Sequence, residues 1–111
     1  LLTSKEGYLE LSNYISFPLL LDVAHLHVSC KTLGLNFYSE LKDLYSLSKY
    51  IHLSDNDGFS DSNKTILKSS EIELFLKAQD NSNKNITLEI YDDLEIVKTA
   101  YNQLKKSLYF K

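Results

Sequence analysis

Several features that mark particular classes of protein are scarce in this sequence. It contains one cysteine, Cys30, which excludes an internal disulfide framework and is typical of a reducing compartment. Its lysines are dispersed and its formal net charge is −3, so it lacks the basic patch of a nucleic-acid-binding protein. No apolar run approaches the roughly 20 residues of a membrane span, and no segment has the pattern of a signal peptide. We therefore expect a cytoplasmic protein that binds neither membranes nor nucleic acid.

The rest of the composition is that of an ordinary globular domain. Hydrophobic residues make up 43% of the chain and charged residues 24%. A length of 111 residues is enough for a single domain and too short for two. Because the sequence begins with Leu1 rather than methionine, we expect this domain, residues 1–111, to be part of a longer protein.

Short apolar runs alternate with stretches that have helical periodicity. Runs near residues 18–22, 50–53 and 86–90 are typical of buried β-strands. Helices are predicted over residues 4–15, from Asn36 to about Lys49, from Ser70 onward, and from Asp92 or Asp93 onward. Residues 23–35 are predicted to form a polar loop. This alternation predicts an α/β fold with a parallel sheet and right-handed crossovers.

Each predicted strand carries one potential metal ligand. Side chains alternate between the two faces of a strand, and Asp22, His52 and Glu89 each fall on the less apolar face, near the strand's carboxyl end. In parallel β/α folds this end is where active sites are built. Two carboxylates and an imidazole suit a divalent ion such as Mn²⁺, Co²⁺, Mg²⁺ or Zn²⁺. We therefore predict that these side chains share one metal site.

Each of these residues also has an ordinary structural interpretation. Asp22 could cap the following loop, His52 could be a core histidine bonded to a backbone carbonyl, and Glu89 could form a salt bridge with a lysine. His25 lies three residues after Asp22, so it could reach the same cavity or be an exposed loop residue. Asp61, in the polar turn after the second strand, is a further candidate ligand or a partner that orients His52.

Two segments carry a resemblance to a known family. Leu-Leu-Asp-Val-Ala-His at residues 20–25, and Tyr-Ile-His-Leu-Ser-Asp-Asn-Asp-Gly at residues 50–58 with Asp61, resemble the xylose isomerase-like TIM-barrel superfamily. That superfamily contains sugar isomerases and epimerases and, more distantly, endonuclease IV; the sugar phosphate isomerase/epimerase branch is the most similar. The resemblance covers about residues 15–100 and corresponds to the last three βα units. It implies a partial (β/α)8 TIM barrel, of which this chain is the C-terminal part.

The resemblance implies a metal-dependent sugar or sugar-phosphate isomerase or epimerase. By motif, Asp22, His52 and Glu89 would be metal ligands. Glu89 and His25 would be the catalytic residues, Glu89 as acid/base and His25 as a contact to the substrate. The chemistry implied is proton transfer next to a carbonyl, with the metal polarising the substrate oxygens and stabilising an enediolate.

Departures from the family pattern leave two alternatives. The family's additional glutamate, on an earlier strand, is missing, so the site of this chain alone is expected to be incomplete. Asn63 stands where an endonuclease IV-like DNA-repair phosphodiesterase has a histidine ligand, which argues against that first alternative. The second alternative is a non-catalytic half-barrel. Because its sheet edges would be open, we expect a homo-oligomer or a complex with the missing N-terminal part of the barrel.

Overall fold

A computed structural model describes residues 4–16, 18–60 and 62–109 of the chain. These residues form an α/β fold in which helices and strands follow one another along the chain. The helices are α1 (Lys5–Ser12), α2 (Val23–Leu33), α3 (Phe37–Leu47), α4 (Glu71–Lys77) and α5 (Leu94–Tyr109). The strands are β1 (Leu20–Asp22), β2 (Tyr50–Leu53) and β3 (Asn85–Leu88). Within the described ranges, none of the helices combines the length and apolarity needed to cross a membrane.

The strands form one parallel sheet in the order β1-β2-β3, which confirms the predicted α/β class. In the register of the sheet, His52 of β2 lies opposite Asp22 on one side and Thr87 on the other. Both β1 and β3 are shorter than the predicted runs. Glu89 therefore follows β3 instead of lying within it, although its amide still donates to the Leu53 carbonyl at 3.0 Å.

The predicted loop at residues 23–35 is wrong, because most of this segment forms α2. Polar side chains obscured the helical spacing of its apolar ones. The buried residues of the helix are Val23, Ala24, Leu26, Ser29 and Cys30. Asp22 is the N-cap, since its Oδ1 accepts a hydrogen bond from the His25 amide at 3.0 Å. Gly34 ends the helix with φ +70° and donates from its amide to the Cys30 carbonyl.

Helices α1, α3 and α4 begin after the residues predicted to start them. The side chains of Ser4, Asn36 and Ser70 accept hydrogen bonds from first-turn amides of α1, α3 and α4, at 3.1, 2.9 and 3.3 Å. Glu73 accepts from the Ser69 amide at 2.9 Å, one residue before the amide that a capping box would use. These bonds satisfy amides that have no partner within their helix, so local polar side chains set where the helices begin.

The core lies between the sheet and the helices. Leu21, Ile51 and Leu53 are buried in one cluster with apolar side chains of α2, α3, α4 and α5. On the opposite face, Leu20 is 50% and Tyr50 49% exposed. In the described part of the chain, the helices therefore cover one face of the sheet and leave the other open. The open face is the one predicted to carry the metal ligands.

Candidate metal centre

Three of the predicted site residues meet at the carboxyl edge of the sheet. Asp22 ends β1, His52 lies opposite it in β2, and Glu89 directly follows β3. One potential ligand atom from each side chain lies within 4.8 Å of those of the other two, and we call these residues the triad. Ligands of one ion at about 2.1 Å stand no more than about 4.2 Å apart. Small side-chain adjustments therefore bring all three into one coordination sphere.

His52 and Glu89 also contact each other directly. The Nδ1 atom of His52 lies 2.8 Å from Oε1 of Glu89. Because an ionised carboxylate can only accept hydrogen bonds, the imidazole donates from Nδ1 and each side chain orients the other. The partner of His52 is thus a carboxylate instead of a backbone carbonyl, and the partner of Glu89 is a histidine instead of a lysine. The two side chains are 29% and 35% exposed, so a small ion can reach them from solvent.

Asp22 combines the structural and the functional interpretation. One of its oxygens caps α2 through the bond from the His25 amide, so the predicted cap serves a helix and not a loop. An ionised carboxylate has further lone pairs, so the same side chain can also contact a cation. The side chain is half-buried, and the start of α2 holds it beside β2.

The remaining predicted residues do not join the triad. His25, in the first turn of α2, is half-buried and lines a cavity of about 220 Å³ together with Asp22. Asp61 lies outside the described residues, so its predicted role as a ligand stays a prediction. Cys30 is buried in α2, where burial and, second, the charge of Glu40 raise the pKa of its thiol. Cys30 is therefore a neutral core residue.

The loop after β2 folds back onto α2. Asn56 donates from Nδ2 to the Ala24 carbonyl at 2.9 Å. Gly58 has φ +85°, and a Cβ there would lie 3.1 Å from Nε2 of His27, so both the backbone conformation and the close approach favour glycine. The His27 ring also packs against Phe37, with ring centroids 4.5 Å apart. His27 thus helps to shape the loop and is not part of the triad.

Asn63 is a site residue that sequence reasoning missed, because it was weighed only as a replacement for a histidine ligand. It is 8% exposed, and its backbone has φ +50°. Its Nδ2 donates to the Glu89 carbonyl at 2.8 Å, and its own carbonyl accepts from the Tyr91 amide at 2.9 Å. Asparagine adopts the left-handed region more readily than most residues, so its position in a polar turn was the one available signal. Its contact with Glu89, 26 positions away, leaves no pattern in the local sequence.

The triad offers two carboxylates and one imidazole at one edge of a parallel sheet. Such a set of donors can hold a divalent cation, and a partly exposed carboxylate can also transfer protons. No family model, no curated protein and no solved structure matches the chain. The geometry of the triad is therefore the feature of this chain that points to a function.

Proposed function

We propose that this chain carries the divalent-metal site of a sugar or sugar-phosphate isomerase or epimerase. The observation that carries the proposal is the triad, whose ligand atoms lie within 4.8 Å of one another at the ends of adjacent strands. Asp22 and His52 could have lain on either face of their strands, and both lie on the open face, where Glu89 joins them from the residue after β3. Two carboxylates with an imidazole between them are suitable ligands for a cation.

The set of donors fits a divalent transition metal. Two carboxylates offset the charge of the ion, and the imidazole favours Mn²⁺, Co²⁺ or Zn²⁺ over Mg²⁺, which prefers oxygen ligands alone. With three protein ligands, coordination positions remain for a substrate. The hydroxyl and carbonyl oxygens of a sugar are suitable ligands for those positions.

A β/α barrel accounts for the form of the sheet. Its strands are parallel and adjacent in chain order, and apolar side chains of the helices pack on one face. In such a barrel the other face lines the interior, and the carboxyl ends of the strands surround the active site. Leu20 and Tyr50, both half-exposed on that face, would then be interior side chains. Closing the barrel requires further strands beside β1 and β3.

The proposed chemistry is proton transfer by Glu89. When bound, the metal polarises substrate oxygens and makes a neighbouring carbon-bound proton more acidic. His52 orients the Glu89 carboxylate, which would take the proton from carbon through a lone pair not used by His52 or the ion and return it to the adjacent carbon, while the substrate's hydroxyl proton passes to its carbonyl oxygen. That return gives isomerisation, whereas epimerisation needs a second acid/base on the other side of the substrate. His25, beside Asp22, is proposed to contact a substrate hydroxyl.

Metal binding and proton exchange together test this proposal. The metal-stripped protein is titrated with MnCl₂ and CoCl₂ by calorimetry. The loaded protein, with its barrel closed by the further strands that the proposal requires, is then incubated in D₂O with aldoses, ketoses and their phosphates. We expect a single ion per chain and deuterium incorporation next to the carbonyl of at least one sugar, read by NMR. Failure to bind either ion would overturn the metal site. Binding without exchange in any sugar would overturn the isomerase and leave the metal site in place.

The open edges of the sheet favour a second candidate function, a non-catalytic half-barrel that assembles with itself. In the described part of the chain, β1 and β3 each pair with β2 alone. Cavities lie beside both edge strands, about 220 Å³ at β1 and about 190 Å³ at β3. The lining of the second cavity includes Ile86, Leu88, Leu104 and Leu108.

We expect the protein to self-associate as its concentration rises, because edge strands present backbone groups that pair with another strand. Sedimentation velocity across a concentration series measures this directly. Self-association without metal binding would favour the assembly function over the enzyme. A protein that stays monomeric at high concentration would contradict the prediction and show that the open face tolerates water.

A further inference from the structure

The direction of Glu89 is set by contacts outside β3. The strand ends at Leu88, and the Glu89 amide donates to the Leu53 carbonyl of β2 at 3.0 Å. Beyond this bond the chain could leave the sheet in several directions, because α5 does not begin until Leu94. The direction that it takes decides whether the Glu89 side chain reaches the triad.

Asn63 holds this segment from the side of the β2 loop. Its Nδ2 donates to the Glu89 carbonyl at 2.8 Å, and its own carbonyl accepts from the Tyr91 amide at 2.9 Å. Together with the bond to Leu53, these contacts give both the amide and the carbonyl of Glu89 a defined partner. Fixing the two peptide groups on either side of a Cα fixes the direction of its Cα–Cβ bond, and the contact with His52 then orients the carboxylate.

Asn63 is itself held in place. The amides of Asp55 and Lys64 each donate to the other's carbonyl at 2.8 Å, which closes the loop between β2 and Asn63. The φ of +50° at Asn63 is one that asparagine and glycine adopt more readily than other residues. Because Asn63 is only 8% exposed, water competes little for its hydrogen bonds. The loop therefore presents Asn63 to Glu89 in one orientation.

We propose that Asn63 is a positioning residue of the metal site. Through its side-chain hydrogen bond to the Glu89 carbonyl and its main-chain bond from the Tyr91 amide, it directs the Glu89 carboxylate towards His52 and Asp22, and it thereby sets the affinity for the metal. This inference rests on the proposed metal site, and it deepens that proposal by naming a residue that acts without touching the ion. It also explains why an asparagine suits this position.

Asn63→Gly tests the positioning role while sparing the backbone. Glycine adopts φ +50° without strain, so the substitution removes the side-chain amide and keeps the path of the loop. We expect the affinity for Co²⁺ to fall about 10-fold, the scale of losing an outer contact of a metal site. We also expect the visible absorption bands of bound Co²⁺ to change, because Glu89 moves. A folded variant with the affinity and spectrum of the wild type would overturn the inference.

Ser69→Gly is the matched control. Ser69 also has a positive φ, +62°, but it is exposed and lies in the turn before α4. We expect this variant to keep the wild-type affinity and spectrum. Should Asn63→Gly not fold, Asn63→Asp provides the same test, since it keeps the shape and replaces the donor with an acceptor facing the Glu89 carbonyl. Weaker Co²⁺ binding then supports the inference despite the added negative charge, and equal or tighter binding overturns it.

A measurement without metal separates this inference from the proposed function. In the metal-free protein, the bond to Glu89 protects the Nδ1 hydrogen of His52 from exchange with water, and ¹⁵N NMR of the ring reports the exchange rate. We expect faster exchange in Asn63→Gly than in the wild type or in Ser69→Gly. Unchanged exchange shows that Asn63 does not direct Glu89 and overturns the inference. Faster exchange in a protein that binds no Co²⁺ overturns the metal site but supports the contact between Asn63 and Glu89.

Discussion

Replacing Glu89 with glutamine is expected to weaken Co²⁺ or Mn²⁺ binding by at least about 100-fold, because the loss of a direct ligand exceeds the loss of an outer contact of a metal site. Glutamine has the same length and keeps an oxygen that can accept from His52, so the 2.8 Å contact and the fold can persist. The negative charge is lost, and a neutral amide oxygen is a weaker ligand for these cations than a carboxylate. Calorimetric titration of the metal-stripped wild type and variant measures the difference.

Glu95→Gln is the control for this experiment, because it removes the same charge elsewhere. The Glu95 side chain is 86% exposed, lies in the first turn of α5 and pairs with Lys98 at 3.6 Å. We expect it to leave the metal affinity within the error of the titration, since exposed charges at a distance are screened by solvent. Equal losses of metal affinity in the two variants would mean that net charge governs binding. An unchanged affinity in Glu89→Gln would show that Glu89 is not a metal ligand.

Substitutions of Asp22 are expected to separate its two roles. Asp22→Ala removes both the ligand and the cap of α2. We therefore expect at least about 100-fold weaker metal binding, more than for the loss of an outer contact, and a loss of about 1 kcal/mol in the free energy of unfolding of the metal-free protein. Asp22→Asn keeps an oxygen that accepts from the His25 amide and loses only the charge. This variant should therefore lose metal affinity while its unfolding by urea stays close to that of the wild type.

Asn36→Ala is the matched control for the cap. Asn36 begins α3 by accepting from the Ser39 amide at 2.9 Å, and it is exposed and absent from the triad. Its removal should lower the free energy of unfolding by about the same 1 kcal/mol and leave metal binding unchanged. If Asp22→Asn binds metal as tightly as the wild type, Asp22 is a capping residue alone and the proposed site loses one of its ligands.

The strands and the three triad residues could be predicted because their signals are local. An apolar run of four or five residues predicts a strand and its buried face. The single polar residue in the run then stands out as a candidate functional residue. The same holds for Ser4, Asn36 and Ser70, whose side chains bond amides three residues away. Parallel pairing then follows from the alternation of strands and helices, which leaves little choice of topology.

The segment after β1 could not be assigned in the same way. His25, His27 and Lys31 alternate with small and apolar residues, so the spacing of buried positions in α2 is weak. The helix is favoured because neighbouring elements bury one side of it and Asp22 caps it. The path of the loop after β2 was even harder to predict from the sequence. It depends on the close approach of Gly58 to His27 and on contacts between distant parts of the chain.

By itself, the sequence determined the α/β class, the caps of three helices, and which polar side chains stand in each strand run, because these properties depend on residues a few positions apart. Only the tertiary structure decided that Asp22, His52 and Glu89 lie close together and that Asn63 donates a hydrogen bond to the Glu89 carbonyl. The physical reason is that the strand register and the closure of the loop join residues far apart along the chain, and no local pattern records those distances.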